Sequence, residues 1–408
     1  MMNGLMSVFE RTVSLGRLGM LGACVLAGLD CGAAEVKMGG STQLLVMGRD
    51  YGGDAKGESA TVALTLEGRS QLSESVLVGG QLLHVQNLYE NGKDDAGYWL
   101  SNDTTSVLNE LYVDWDLERI GFGDTNVKIG RQTAGYDFFG TYKVRQKEQA
   151  FEGLVVKTKV RDGVSLDVGH IERYSTWSCR EDGPSALTGE FRDLSERLGF
   201  DGGDKGVQFA SASWERGDAM SFTVYDYFAD SLYNNAGVKA AYSFGGERRD
   251  AFWTVSGHYI QQDGDSSGKM PGHDADSLEL NLRYEKGGLT LDTGWTHISD
   301  GSSLLVPFRT SYVIDATLLW YTNQYEAGTD SLHLKAAHKM GKWTLVGVLV
   351  GAQHEDEREE QELDVVVKYA FENNVWVAFK GGYGRRDFAG DRREQEGTDL
   401  RLFVGYGF

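Results

Sequence analysis

The chain has 408 residues, a formal net charge of -20, 54 Gly, 3 Pro and 3 Cys, with a mean hydropathy of -0.36. No run of 18 or more apolar residues lies beyond the leader, which excludes a helical membrane protein, and the acidic balance excludes nucleic acid as a partner, since phosphate binding needs an excess of Lys and Arg. Abundant Gly and aromatics with modest hydropathy leave two classes open, a soluble acidic all-β protein and a barrel of alternating transmembrane strands.

Residues 1–34 read as an export signal peptide. Arg11 and Arg17 flank the start of an apolar run over 18–29, and Gly32, Ala33 and Ala34 supply small residues for cleavage after Ala34. The alternative is a lipoprotein box at Leu21-Gly22-Ala23-Cys24. Under the first scheme Cys24 and Cys31 leave with the signal, so Cys179 remains alone and no intramolecular disulfide forms.

Residues 35–408 then form one domain of segments about ten residues long in which apolar and polar side chains alternate. The expected strands are 41–50, 61–72, 76–89, 107–117, 125–132, 150–160, 164–174, 206–215 and 220–228. They continue with 235–244, 251–261, 277–285, 289–298, 330–339, 342–354, 361–371, 374–385 and 398–408. In 107–117, Leu111, Val113, Trp115 and Leu117 share one face, and Glu110, Tyr112, Asp114 and Asp116 the other. A buried sheet does not tolerate three unpaired carboxylates on its inner face, whereas a water-filled lumen does.

The last segment repeats the pattern. Leu400, Leu402, Val404, Tyr406 and Phe408 lie on one parity, with Asp399, Arg401 and small residues on the other, and the chain ends on an aromatic. These features predict an all-β fold, a closed antiparallel transmembrane β-barrel with short periplasmic turns and long extracellular loops, in the outer membrane of a Gram-negative bacterium. The count is eighteen strands, with sixteen as an alternative and nineteen if 312–325 is a strand. That segment is read here as extracellular loop, because 315–324 looks more helical than alternating, and an even number keeps both termini in the periplasm. Pro184, Pro271 and Pro307 all fall in long loops.

Two stretches resemble the OprD-like porins and related major outer-membrane porins. One is Leu108-Asn109-Glu110-Leu111-Tyr112-Val113-Asp114 followed by Val127-Lys128-Ile129-Gly130-Arg131-Gln132, and the other is Arg145 followed by Phe151-Glu152-Gly153-Leu154. The stretch from about Asp330 to Phe408 is similar as well, while Gln146 to Ala150 stand where the family has a proline. The resemblance implies an eighteen-stranded channel for small hydrophilic solutes, a third loop that folds inward, and recognition of the final strand by the barrel-assembly machinery. Outer-membrane lipid and lipopolysaccharide would surround it, as a monomer or a homotrimer.

A channel of this kind does no bond chemistry but arranges charge in a water-filled constriction. The third loop, 133–149, carries Lys143, Arg145 and Lys147. Folded inward it brings them near the axis, and the plain alternative is a solvated surface cluster. Parity supplies a second set: Arg49, Arg69, Lys368, Lys380 and Arg401 lie opposite the apolar face of strands that are consecutive round a closed barrel, a basic ladder with Glu110, Asp114 and Asp116 as the acidic side. Arg131 shares parity with Val127 and Ile129 and reaches the lumen only if Gly130 marks a bulge; otherwise it lies above the membrane. Asp263, Asp265, Ser267 and Asp274 imitate a calcium loop; no other cofactor is expected. His354, among acidic neighbours, reads as part of a solvated tip. The rival functions are a polysaccharide exporter, a barrel enzyme and an adhesin. Ser175 and His170 are single candidates for an enzyme, with nothing to pair them.

Overall fold

The computed structural model describes residues 35–52, 56–92, 103–136, 140, 145–178, 189–246, 251–307, 319, 323–388 and 394–408. The leader, Cys179, Lys143 and most of 312–325 lie outside the described residues. The strands are β1 (Val36–Asp50), β2 (Lys56–Gln71), β3 (Val76–Gly92), β4 (Thr105–Asp116), β5 (Thr125–Gln132) and β6 (Ala150–Arg161). Next come β7 (Val164–Ser175), β8 (Val207–Arg216), β9 (Met220–Ala229), β10 (Tyr233–Gly246), β11 (Ala251–Gly264) and β12 (Asp274–Lys286). The last six are β13 (Leu289–Ile298), β14 (Asp330–Met340), β15 (Trp343–Gln353), β16 (Glu359–Ala370), β17 (Val375–Asp387) and β18 (Glu394–Gly407).

Each strand pairs with its sequence neighbours, and β1 pairs with both β2 and β18, so a single eighteen-stranded sheet closes on itself. Closure satisfies a hard requirement of hydrocarbon, where an unpaired backbone N–H or C=O costs several kcal/mol. Alternation then sorts the side chains. On β18, Leu400, Leu402 and Tyr406 are exposed on the outer surface while Asp399, Arg401 and Phe403 are buried inside. On β12, Leu278, Leu280 and Leu282 face out, and Glu279 and Asn281 face in. Aromatic pairs ring the periplasmic ends: Trp253 with Tyr284 at 4.7 Å, Trp343 with Tyr369 at 4.6 Å, and Tyr406 with Phe408 at 6.1 Å between ring centroids. Their flat, amphipathic rings suit the headgroup level of a bilayer.

Three departures from the sequence reading have physical causes. Several strands run further toward the extracellular side than alternation predicts; β2 starts at Lys56 and β18 at Glu394, because ladder hydrogen bonds continue where lipid no longer demands an apolar face. The β9–β10 connection is only residues 230–232, turned by Ser231 at φ 61°, so one extracellular connection is as tight as a periplasmic one. In β4 the register against β3 shifts between Gln81 and Leu82. Asn109 and Glu110 therefore both point inward and are buried, while Leu108 and Leu111 both point outward; the bulge reverses the parity of everything before it.

The terminal residue is locked into the seam. Phe408 N donates to Gly40 O at 2.9 Å, and Gly40 N donates to Phe408 O at 3.0 Å. A Cβ on Gly40 would meet Thr65 O at 2.4 Å and the Phe408 ring at 2.8 Å, whereas one on Gly39 meets Phe408 O at an ordinary 3.4 Å. Gly40→Val is expected to cut the yield of heat-modifiable barrel several-fold and Gly39→Ala to leave it unchanged; equal yields on unheated gels would contradict the packing of this seam.

Candidate functional site

The third loop folds into the barrel. It leaves β5 at Thr133, whose backbone N and Oγ1 donate to Glu110 at 2.9 and 2.6 Å. It then reaches the inner wall at β1 and β2, where Gln146 Nε2 donates to Gln43 O of β1 at 2.8 Å and to Thr61 O of β2 at 3.2 Å. Thr61 Oγ1 donates to Gln146 Oε1 at 2.8 Å. The missing proline before Phe151 is thus no obstacle, because a glutamine amide anchors the crossing. Lys147 Nζ donates to Thr176 O and Glu148 O and is 1% exposed. It ties this loop to the β7–β8 loop instead of facing open lumen.

Other loops enter too. Leu305 N donates to Gln262 Oε1 at 2.8 Å, and Gln262 Nε2 returns a bond to Leu305 O at 2.7 Å. Leu319 N donates to Glu362 Oε1 of β16 at 2.7 Å. The β13–β14 loop therefore descends along the inner wall, where the sequence reading placed 312–325 simply outside. Aromatic and aliphatic residues of β6–β10, among them Phe151, Phe209, Tyr225 and Tyr233, pack against Tyr136 of the third loop, Leu194 of the β7–β8 loop and Leu305. Burial holds the Tyr136 phenol well above its ordinary range. Inward loop segments thus pack against the inner wall of β6–β10 as well as against β1, β2 and β16.

A charged group sits on the inner face of β18 and β1. Asp399 and Arg49 are register partners across the β18–β1 seam. Asp399 Oδ2 stands 2.8 Å from Arg49 Nε, and its oxygens accept from Arg401 at 2.7 and 2.9 Å. All three are nearly fully buried. Arg145 of the third loop lies within electrostatic reach of Asp399 and has its guanidinium 5.0 Å from the Trp177 ring centroid. Arg49 also stacks on Tyr51 at 4.6 Å, whose phenol burial pushes up to about 12. Beside the clamp, Lys380 is the register partner of Arg401. Lys380 Nζ sits 5.4 Å over Phe403, and Lys368 Nζ 4.9 Å over Trp376.

The sequence-derived set therefore divides. Arg49, Arg401, Lys380 and Lys368 descend one inner wall, with Arg145 beside the top. Arg69 stands apart on β2 within reach of Tyr112 and Lys128. It thus belongs with Glu110 and Asp114, the latter accepting from Asn126 Nδ2. Asp116 accepts from Glu118 N at 3.0 Å and pairs with Arg119, which places it at the periplasmic mouth. Lys143 lies outside the described residues.

Sequence reasoning missed Glu360, Glu362 and Asp364, buried on the inner face of β16. Their parity against Leu363 and Val365 was the same signal that revealed Glu110 and Asp114. Glu360 pairs with Arg386 at 2.6 Å. His354 is no solvated tip: it is buried, shares a hydrogen bond with Thr329 Oγ1 at 2.8 Å and lies 3.7 Å from Glu360. The inner wall further holds His258 between Tyr225 and Glu279 at 2.8 and 3.4 Å, and His333 2.9 Å from Asp292.

Two remaining expectations resolve locally. Arg131 keeps regular register opposite Leu111 and Glu152, so Gly130 marks no bulge and Arg131 faces outward. Asp265 Oδ1 accepts from Ser267 N and Oγ, both at 2.9 Å, which closes a turn, while Asp263 and Asp274 are register partners of β11 and β12. Among the described residues, no three His, Cys, Asp or Glu side chains stand together as a metal cluster.

A family model described as outer membrane porin, OprD family, matches residues 118–406. Similar solved structures include OccK9 (OpdG) of Pseudomonas aeruginosa, with a TM-score of 0.76 and 14% identity over 92% of this chain and 99% of that one. OccAB4 of Acinetobacter baumannii gives 0.73 and 15% over 93% and 99%, and OpdK of Pseudomonas aeruginosa, crystallised with vanillate, gives 0.73 and 14% over 92% and 98%. No curated protein matches the sequence.

The seam clamp carries a prediction of its own. Asp399→Asn removes the carboxylate that two buried guanidinium groups share, and breaking a buried pair in this way costs about 3–5 kcal/mol. The heat-induced mobility transition should move to clearly lower temperature than in the wild type. An unchanged transition would show that the clamp does not hold β1 to β18.

Proposed function

From the premise that this chain belongs to the OprD family of outer-membrane porins, we propose that its channel for small solutes favours small anions, carboxylates with an apolar body above all. The observation that carries this reading is the series on one inner wall, Arg49, then Arg401 with Lys380 beside it, then Lys368, with Phe403 and Trp376 set under the two lysines. Cations draw a carboxylate downward and the rings accept its apolar part. The related OpdK, crystallised with vanillate, fits the same chemistry. Asp399 neutralises part of the upper charge, which keeps the upper site weak enough to release its solute.

Arg145 is assigned to the constriction, and Lys147 to fastening the loop that carries it. Residues 1–34 act as the export signal, and the last strand with Phe408 engages the assembly machinery. A channel of this kind needs no catalytic group.

Even at an effective dielectric near 20, a charge pair at ~4 Å is worth about 4 kcal/mol, and salt screens it over a Debye length of about 8 Å. In planar bilayers under a KCl gradient, Arg145→Glu is expected to shift the reversal potential toward cations, most strongly at low salt. It should also slow benzoate more than an uncharged solute of equal size. Arg69→Glu, off the series, should do less. If Arg69→Glu moves selectivity and Arg145→Glu does not, the β2 side carries the path; if neither does, the passage lies elsewhere in the lumen.

A further inference from the structure

Outside the barrel, at the extracellular ends of β5, β6 and β7, stands a charged group that the channel does not use. Arg131, Glu152 and Arg173 are successive register partners across these strands. Arg131 Nε lies 3.1 Å from Glu152 Oε2, and Arg173 Nη2 lies 2.7 Å from Glu152 Oε1. Arg131 Nη1 donates to Leu108 O at 3.1 Å, and its guanidinium is stacked 4.2 Å from the Phe191 ring centroid. Two guanidinium groups thus share Glu152, with exposed Glu172 beside Arg173 at the register shift, and both arginine side chains keep solvent access, at 31% and 43%.

The position is as informative as the charge. One pleat below Arg131 and Glu152, the same outer face carries the register pair Ile129 and Leu154, both exposed to lipid. A strand rises about 3.3 Å per residue, so the guanidinium groups begin roughly 7 Å above the last apolar pair, at the headgroup level of the outer leaflet. Elsewhere on the described outer rim carboxylates are held in pairs, Asp50 with Lys56 among them. Tyr259 donates to Asp276, Trp295 to Asp330 and Tyr383 to Glu396, and Arg385 is flanked by Asp387 and Glu394. A carboxylate rim repels lipid phosphate unless a cation bridges them. Paired guanidinium groups take phosphate directly, in forked hydrogen bonds.

We propose that Arg131 and Arg173, held apart by Glu152 and steadied by Phe191, form a docking site for the phosphate of an outer-leaflet glycolipid of the lipid A type. The site gives the barrel one fixed lipid contact on its β5–β7 side, directly outside the strands from which the third loop springs.

The test uses the folded full chain in nanodiscs of phosphatidylcholine, titrated with bisphosphorylated lipid A or with lipid A stripped of phosphate, and read by native mass spectrometry. The wild type is expected to prefer the phosphorylated lipid. The double variant Arg131→Gln/Arg173→Gln should lose on the order of tenfold in that affinity, equivalent to about 1.4 kcal/mol, while Arg385→Gln loses none. Glu152→Gln removes the competing carboxylate and should tighten binding; this arm stands even if the double variant fails to fold. Phosphorylated and stripped lipid bound equally, an undiminished double variant, or weakened binding in Glu152→Gln would each overturn the site. So would displacement of the lipid by millimolar inorganic phosphate, or a double variant that loses only self-association between copies of this chain.

Discussion

Because hydrocarbon offers no partner to a strand edge, the structure depends on joining the first strand to the last, and the chain commits unusual resources to that seam. The β1–β18 register runs from Ser41 opposite Gly407 to Asp50 opposite Thr398. It is bounded at the periplasmic end by reciprocal bonds between Gly40 and Phe408. Toward the extracellular side, Asp399 bridges Arg49 on the facing strand and Arg401 on its own. The pair chemistry sits on the inner face, away from lipid. The outer face of the same strands is left to Leu400, Leu402 and Tyr406. One alternation of side chains therefore serves both the bilayer and the lumen, and the group that closes the sheet also stands at one end of the proposed cationic series.

A ring of eighteen strands encloses more space than a selective passage needs, and the loops supply the difference. Where the third loop crosses, it is fixed by side-chain amides to strand carbonyls and by the Lys147 ammonium to the next loop. The aromatic inner wall of β6–β10 binds the remaining inward segments by apolar packing. Loops thus touch the inner wall at β1 and β2, at β6–β10 and at β16, and such packing resists deformation.

The strand count and the inner-wall placement of Arg49, Lys368, Lys380 and Arg401 were legible in the sequence, because period-two alternation reports which side a residue takes. It does not report depth. Asp116 and Asp114 share a face, yet one lies at the periplasmic mouth and the other beside Asn126. Parity also breaks wherever a bulge inserts a residue, as at Asn109 and Glu110. Loops carry no period at all, so the inward descent of Leu305 and Leu319 and the burial of His354 had no local signature. Glu362 and Asp364 were a different kind of miss: they fall in the expected strand 361–371 and alternate with Leu363 and Val365, but only the basic residues of that face were singled out. Membership of the family came from short motifs and the closing strand, which alternation alone would not have distinguished from other barrels.

The central claim is that the third loop lies across the lumen against β1 and β2 while the channel conducts. Thiols introduced at Thr61 and Gln146, whose side chains are hydrogen-bonded at 2.8 Å, test it most directly. In a Cys179→Ser background, single-channel conductance would be recorded before and after a short bis-methanethiosulfonate bridge is added. The account predicts rapid bridging with conductance and selectivity unchanged, since the loop is already in place. Failure of the two thiols to bridge, or a step fall in conductance when they do, would show that the conducting channel holds this loop elsewhere.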